Sequence, residues 1–388
     1  MRYIRFLKVP KGDSKSISCV ITITSDLGDD FLAEDVALSA TIRSPKDRGD
    51  IFLRKSFNWT AGMRALPVDF DLRHCDLDWP VVVHVGSKGQ LADYFETQMA
   101  GAELPAVISV LSSPLHPPGG IYEAEKKVQR RLVPLSNRPL EIWEETGESI
   151  ARHIWDAGVG LAAFFDKIIA MQYESLPLLD TTLSSASYRK LNVLELGCGC
   201  GIVGISLAQI IPDCHVWMTD LPEARDIAQK NIATMNPGMA SSARFETLDW
   251  DQPLPQAIEH QTYDMIVASD CTYNPDTSPA LVKTLLALVA RSPRAIVVLA
   301  MKVRHESEAI FFELMAKAGF HTATKAWQPL PREETDYDSA TKVDIFIFHY
   351  KNRPQTAEPP FFMDALCGSS SPGGRVKEAS PVNTRSRI

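Results

Sequence analysis

The stretch LELGCGCGIVG, Leu194 to Gly204, holds the residue types that let a tight turn touch a ligand. As Gly199-x-Gly201-x-x-Gly204 it satisfies the glycine pattern that brings backbone against a pyrophosphate, and Asp220 follows about 20 residues on, where a ribose partner belongs. The same stretch also reads Glu195-x-Gly197-x-Gly199-x-Gly201, with a carboxylate just before the glycines. A carboxylate there suits a cation and sits badly against a pyrophosphate. The glycines decide nothing between two ligand classes; the acid favours the cationic one.

S-adenosylmethionine is such a ligand, carrying a sulfonium and an ammonium and no phosphate. Two later groups agree with it. In LDWD, Asp249 is placed to accept from an adenine amino group and Trp250 to cover the ring. In SDCTYN, Asp270 and Tyr273 fall beside the place where a transferable methyl would lie. Each group has a plain structural alternative: a solvated turn for Glu195, a strand-end turn for Asp249 and Trp250, and a helix cap with its packing neighbour for Asp270 and Tyr273.

The elements that must position these residues alternate strictly. LNVLEL, a helix from Ile202 to Ile211, CHVWMTD, a helix from Pro222 to Met235, ARFETLDW, YDMIVASD, a helix from Ser278 to Ala290 and RAIVVLAM predict a parallel sheet covered on both faces. After a helix from about Glu306 to Ala318, HTATKAW and VDIFIFHY follow with no helix between them, which predicts a hairpin and a last strand antiparallel to the rest. Apolar residues from Ile150 to Ile169 recur at helical spacing and predict one or two helices leading into this sheet.

The first part of the chain reads differently. From Ser16 to about Ser113, short β runs separated by Gly, Asp, Pro or Ser predict an all-β, sandwich-like domain over residues 1–115. SSPLHPPGG marks an edge, giving a linker at 116–128. VQRRLVPL and RPLEIWEE, joined at Ser136-Asn137, predict a hairpin that opens a second domain spanning 129–350. Residues 351–388 are rich in Pro, Ser and Gly, with six basic residues against three acidic, and are expected to form a disordered tail.

Taken together, VLELGCGCGIVGISLA, VWMTDLPEA, LDWD, the DxxY pattern of Asp270 to Tyr273 and TGESIARHIWDAG resemble the seven-β-strand methyltransferases, and among them methyltransferase family 16, the protein lysine methyltransferase group. The N-terminal β part would mark this chain as a fungal-type member. The resemblance implies a Rossmann-like α/β fold with an antiparallel last strand, and S-adenosylmethionine as cofactor. It adds Trp155 to the donor-binding residues as a lining aromatic, with Leu221 and Ser269 from the matched motifs. It implies transfer of a methyl to the side-chain amine of a lysine on a non-histone protein.

In-line attack needs a deprotonated amine, whose ordinary pKa is about 10.4. A carboxylate raises that value, so Asp270 suits capture and alignment of the ammonium rather than its deprotonation, and Tyr273 suits a cation–π wall to the slot. A nicotinamide-like small-molecule N-methyltransferase and a non-catalytic donor-binding scaffold are the alternatives, and histidine stays open as the acceptor.

Composition bounds the partners. A net charge of −8 opposes a nucleic-acid role. No window reaches the ~20 apolar residues of a membrane span, and no signal peptide opens the chain. Seven scattered cysteines suit reduced thiols, hence the cytoplasm and also the nucleus. A monomer with no metal is expected, and the acidic loop PREETDYDSA is a candidate for greeting a basic protein surface.

Overall fold

The computed structural model describes residues 1–46, 49–98, 101–116, 120–145, 149–331 and 342–350. The acidic loop, apart from its first residue, and the tail lie outside the described residues.

Two β-sheets make up the first part of the chain. One is ordered Val107–Ile108, Arg2–Gly12, Ser16–Thr24, Leu66–Asp71, with Tyr122–Glu123 also pairing to Arg2–Gly12. The other runs Leu140–Glu145, Lys127–Val133, Val110–Ser112, Val82–Ser87, Val36–Arg43, Ile51–Trp59. Alternation dictates their faces: in Leu66–Asp71, Val68 and Phe70 are buried while Pro67, Asp69 and Asp71 are exposed. The buried sides meet in an apolar layer that includes Ile4, Phe6, Ile21, Val83, Val85 and Trp59. Arg2–Gly12, which the charges at the chain start disguise, is a long strand inside this layer with Tyr3, Ile4 and Phe6 buried.

The second part is a seven-stranded sheet in the order Ser242–Thr247, Cys214–Asp220, Leu191–Leu196, Met265–Ser269, Ile296–Met301, Lys342–Tyr350, Phe320–Pro329. The first five strands are mutually parallel, and Lys342–Tyr350 runs antiparallel to its neighbours. Ile296–Met301 is buried at every position, as a strand covered by helices on both faces must be. The order reverses between Leu191–Leu196 and Met265–Ser269, which opens a crevice at their carboxyl ends.

The hairpin Lys127–Glu145 is the hinge of the architecture. It was expected to open the second domain, yet its backbone pairs into the N-terminal sheet, Leu111 facing Gln129. Its outer side belongs to the α/β part. The Asn231 amide, on the helix Arg225–Thr234, bonds the Trp143 N–H and C=O at 2.8 Å each and the Cys200 carbonyl at 2.8 Å. Asp166, on the helix Asp156–Ile169, accepts from the Leu135 and Ser136 amides at 2.6 and 3.3 Å. Tyr3, Leu132, Leu140 and Ile142 join Phe164, Phe165 and Val193 in one apolar core. Residues 1–353 accordingly form one compact unit, and no strand boundary falls at Gln129.

Candidate functional site

The crevice at the switch point is a cleft of about 690 Å³. The turn after Leu191–Leu196 forms its floor. Gly197, Gly199 and Gly201 take φ of 62°, 53° and 80°, a succession that side-chain-bearing residues rarely adopt. Gly204 is required for a different reason: a Cβ there would stand 2.4 Å from Glu195 Oε2.

Three of the turn's amides are already occupied. Gly199 N–H donates to Asp220 Oδ2 at 2.7 Å, Gly201 N–H to the Cys198 carbonyl at 2.7 Å, and Gly204 N–H to Glu195 Oε2 at 3.0 Å. A pyrophosphate needs such amides free. Those three are not available to a pyrophosphate, the ligand that the spacing taken alone suggests.

Of the residues expected to bind a donor, Trp155, Gly197, Gly199, Asp220, Leu221, Asp249, Trp250 and Ser269 all line the cleft, together with Asp270 and Tyr273. Glu195 and Gly201 do not. Glu195 is 1% exposed and turns away behind the floor, and burial pushes its carboxyl up to about 8. It sits between strand and helix, bonded to the Gly204 N–H, rather than in the cleft lining. Gly201 caps the helix Ile202–Ile210, where a Cβ would meet Met218 Cε at 1.9 Å. Both are essential to the turn's shape, which is why their spacing resembles that of ligand residues.

The charge argument holds on other residues. The cleft is lined by Asp220, Glu223, Asp249, Asp251 and Asp270, and its described lining contains no Lys or Arg. Asp220 is oriented by two backbone donors, Gly199 N–H and Leu221 N–H, each at 2.7 Å. Burial raises its carboxyl above the usual range against those two hydrogen bonds. An acceptor-rich, cation-free cleft with a Trp250 wall fits S-adenosylmethionine, with Asp220 and Asp249 as acceptors for hydroxyl and amino groups.

Asp270 differs from its expected part. Its φ is 55°, and its carboxylate forms a two-point pair with Arg304, Nη1 to Oδ1 at 2.7 Å and Nη2 to Oδ2 at 2.9 Å. Burial nevertheless raises its pKa, Arg304 opposing. A carboxylate so engaged is not free to capture an ammonium by itself. Tyr273 is 56% exposed at the rim, with burial of the remainder raising its hydroxyl pKa. Arg304 also lies 5.8 Å from the centre of the Trp155 ring.

Arg304 and Lys302 follow the strand Ile296–Met301 at the sheet's carboxyl edge, and that position was the signal available for them. Asp26, which bonds both cations, is 276 residues from Lys302, and nothing in the sequence joins them.

Comparisons with known proteins agree with this geometry. A family model described as lysine methyltransferase matches residues 134–318, starting inside the hairpin turn. A UPF0665 family protein of Schizosaccharomyces pombe is 27% identical over 315 residues, 80% of this chain and 91% of its own. A span of that length extends beyond the α/β part. An EEF1A lysine methyltransferase 3 of Mus musculus is 28% identical, over 55% of this chain and 78% of its own. A protein-lysine N-methyltransferase of Saccharomyces cerevisiae, EFM6, is 30% identical, over 45% of this chain and 72% of its own.

Proposed function

Because this chain belongs to the lysine methyltransferase family and takes S-adenosylmethionine as its methyl donor, we propose that it methylates a lysine side chain of a non-histone protein. The observation that carries the protein acceptor is the cleft's mouth. Tyr273 and Leu221 stand 56% and 44% exposed beside an acidic lining, an apolar and anionic rim open to a lysine presented on another molecule. An enzyme for a small amine gains nothing from exposed apolar groups there. Similarity to EEF1A and calmodulin lysine methyltransferases supports a protein acceptor.

When bound, the donor supplies an electrophilic methyl on a sulfonium. The chain's own part is positioning, which can account for several kcal/mol of barrier. Asp220 and Asp249 hold the donor's polar edge and Trp250 covers its ring, while Trp155, Gly197, Gly199, Leu221 and Ser269 shape the walls. Tyr273 offers its ring face to the incoming ammonium, a contact worth about 0.5–2 kcal/mol. Asp270, fixed by Arg304, shapes the end of the slot. The acidic lining favours the protonated lysine on arrival; burial of the stem in the slot then lowers the ammonium's pKa, and its proton passes to solvent water at the open mouth before the amine attacks.

The acidic balance of −8 supports a partner other than nucleic acid, and the six described cysteines, all free thiols, support a cytoplasmic or nuclear setting. Among the described residues no helix is long and apolar enough to cross a membrane. We take the working form to be a monomer.

Incubation with radiolabelled donor and a cell extract tests the function. Label in a protein band is expected, and it should vanish with Asp270→Ala. Label confined to small molecules would move the assignment to the small-molecule alternative. Donor binding without any transfer would leave a scaffold.

A further inference from the structure

The N-terminal sheets reach the cleft wall at more than one point: Glu144 accepts from the Ile154 N–H at 3.0 Å, and Asp26 reaches the end that holds Asp270. Asp26, in the turn after Ser16–Thr24, is 3% exposed, and its Oδ2 accepts from Arg304 Nη2 at 2.8 Å. Its Oδ1 accepts from Lys302 Nζ at 3.4 Å, and Lys302 Nζ donates in turn to Asp156 Oδ2 at 2.7 Å. Charges therefore alternate along Asp270, Arg304, Asp26, Lys302 and Asp156, within a region where the carboxylate side chains are 9% exposed or less.

Two features make this more than a tie between sheets. Asp270 holds a left-handed backbone, φ 55°, a conformation that persists in a non-glycine residue only when its surroundings fix it. What fixes its side chain is Arg304, whose Nη2 donates to Asp270 and to Asp26 together. The same guanidinium lies over Trp155, so two residues of the cleft lining depend on where it rests. Without Asp26, Arg304 keeps Asp270 and the Lys302 carbonyl, the latter at 3.2 Å, but loses the carboxylate that ties it to the N-terminal sheets, and the Arg304–Asp270 pair is freed to shift together.

We propose that Asp26 is a positioning residue of the methyl-transfer site: by holding Arg304 between two carboxylates it fixes Asp270 and the Trp155 wall, so the N-terminal β-sheets complete the active site. The proposal rests on reading the cleft as the site of transfer. It gives the N-terminal part a role in turnover as well as in architecture.

The test uses the full chain as wild type, Asp26→Ala and Asp26→Asn, with label transfer to extract protein at saturating donor and S-adenosylhomocysteine affinity by calorimetry. Asp26→Ala is expected to transfer about tenfold or more slowly, while product affinity, which depends on Trp155 and not on Asp270, falls by clearly less, about threefold at most. Asp26→Asn, whose amide oxygen can still accept from Arg304, should recover part of the rate. If Asp26→Ala does not fold, the isosteric Asp26→Asn decides by the same two measurements. Wild-type rates in the folded variants would overturn the proposal alone, and a fall in rate matched by a fall in affinity would overturn it in favour of a purely architectural ion cluster. A wild-type protein that binds donor but labels no protein fails the reading beneath it, and this proposal with it.

Discussion

Glu195 shows how a motif can be met by a side chain that lies elsewhere than its spacing suggests. Its place before the glycines reads as a carboxylate for a cation, but the side chain lies behind the turn, bonded to Gly204 N–H, with Oε1 unpartnered among the described residues. Sequence spacing reports that an acid is needed and cannot report which way it points. The pH behaviour follows from burial. The folded protein keeps this proton up to about 8, whereas an unfolded chain releases it near ~4.3, so Glu195 makes stability fall as pH rises through that window. Glu195→Gln has no proton to lose: its melting temperature should gain on wild type steadily from pH 5 to pH 8, with S-adenosylhomocysteine affinity within about twofold. A large loss of affinity would restore Glu195 as a ligand group. Tyr273 was legible because an aromatic three residues after a strand-end acid falls at the mouth of such a sheet. Its ring is expected to matter more than its hydroxyl: Tyr273→Phe should keep transfer within about threefold and Tyr273→Ala should lose about tenfold or more. Equal losses would assign the work to the oxygen.

At the scale of elements, the alternating strands and helices were legible because their burial is two-sided and continuous, as in Ile296–Met301. The glycine turn follows from the same logic of close approach. A Cβ on Gly197 would stand 2.6 Å from Cys271 Sγ and 3.5 Å from the Trp250 ring, at a φ of 62°. Gly197→Ala is therefore expected to cost about 1–2 kcal/mol in stability from the backbone alone and to displace the Cys271 thiol, and with it the end of the cleft that Asp270 occupies. Denaturant unfolding and label transfer together check this; a stable variant with slowed transfer would still fit, and unchanged transfer would not. The strand Arg2–Gly12 was hidden because Arg2, Arg5 and Lys8 interrupt its apolar residues. The hairpin's allegiance was hidden too, since pairing Leu111 with Gln129 is a long-range choice that no local pattern records. Asn231 marks where that hairpin is held: Asn231→Ala strands three backbone groups and should cost about 3 kcal/mol.

Across the whole molecule, the division of the chain at Gln129 gives way to one body. The N-terminal sheets share an apolar core with the α/β part through Tyr3, Leu140 and Ile142, and share its ion cluster through Asp26. Compositional breaks such as SSPLHPPGG mark loops well, but they do not distinguish a loop between domains from a loop within one. Residues 1–353 should accordingly unfold in a single calorimetric transition, and two resolved transitions would contradict the shared core. The chemistry of the cleft belongs to this scale as well, because the β-rich part, the sheet's carboxyl edge and the acidic rim act on one acceptor. The most direct test of the account is amino-acid analysis of extract protein labelled by the wild-type chain from radiolabelled S-adenosylmethionine. The account predicts label recovered as methyllysine; label recovered as methylhistidine, or in nucleic acid or small amines alone, would contradict it.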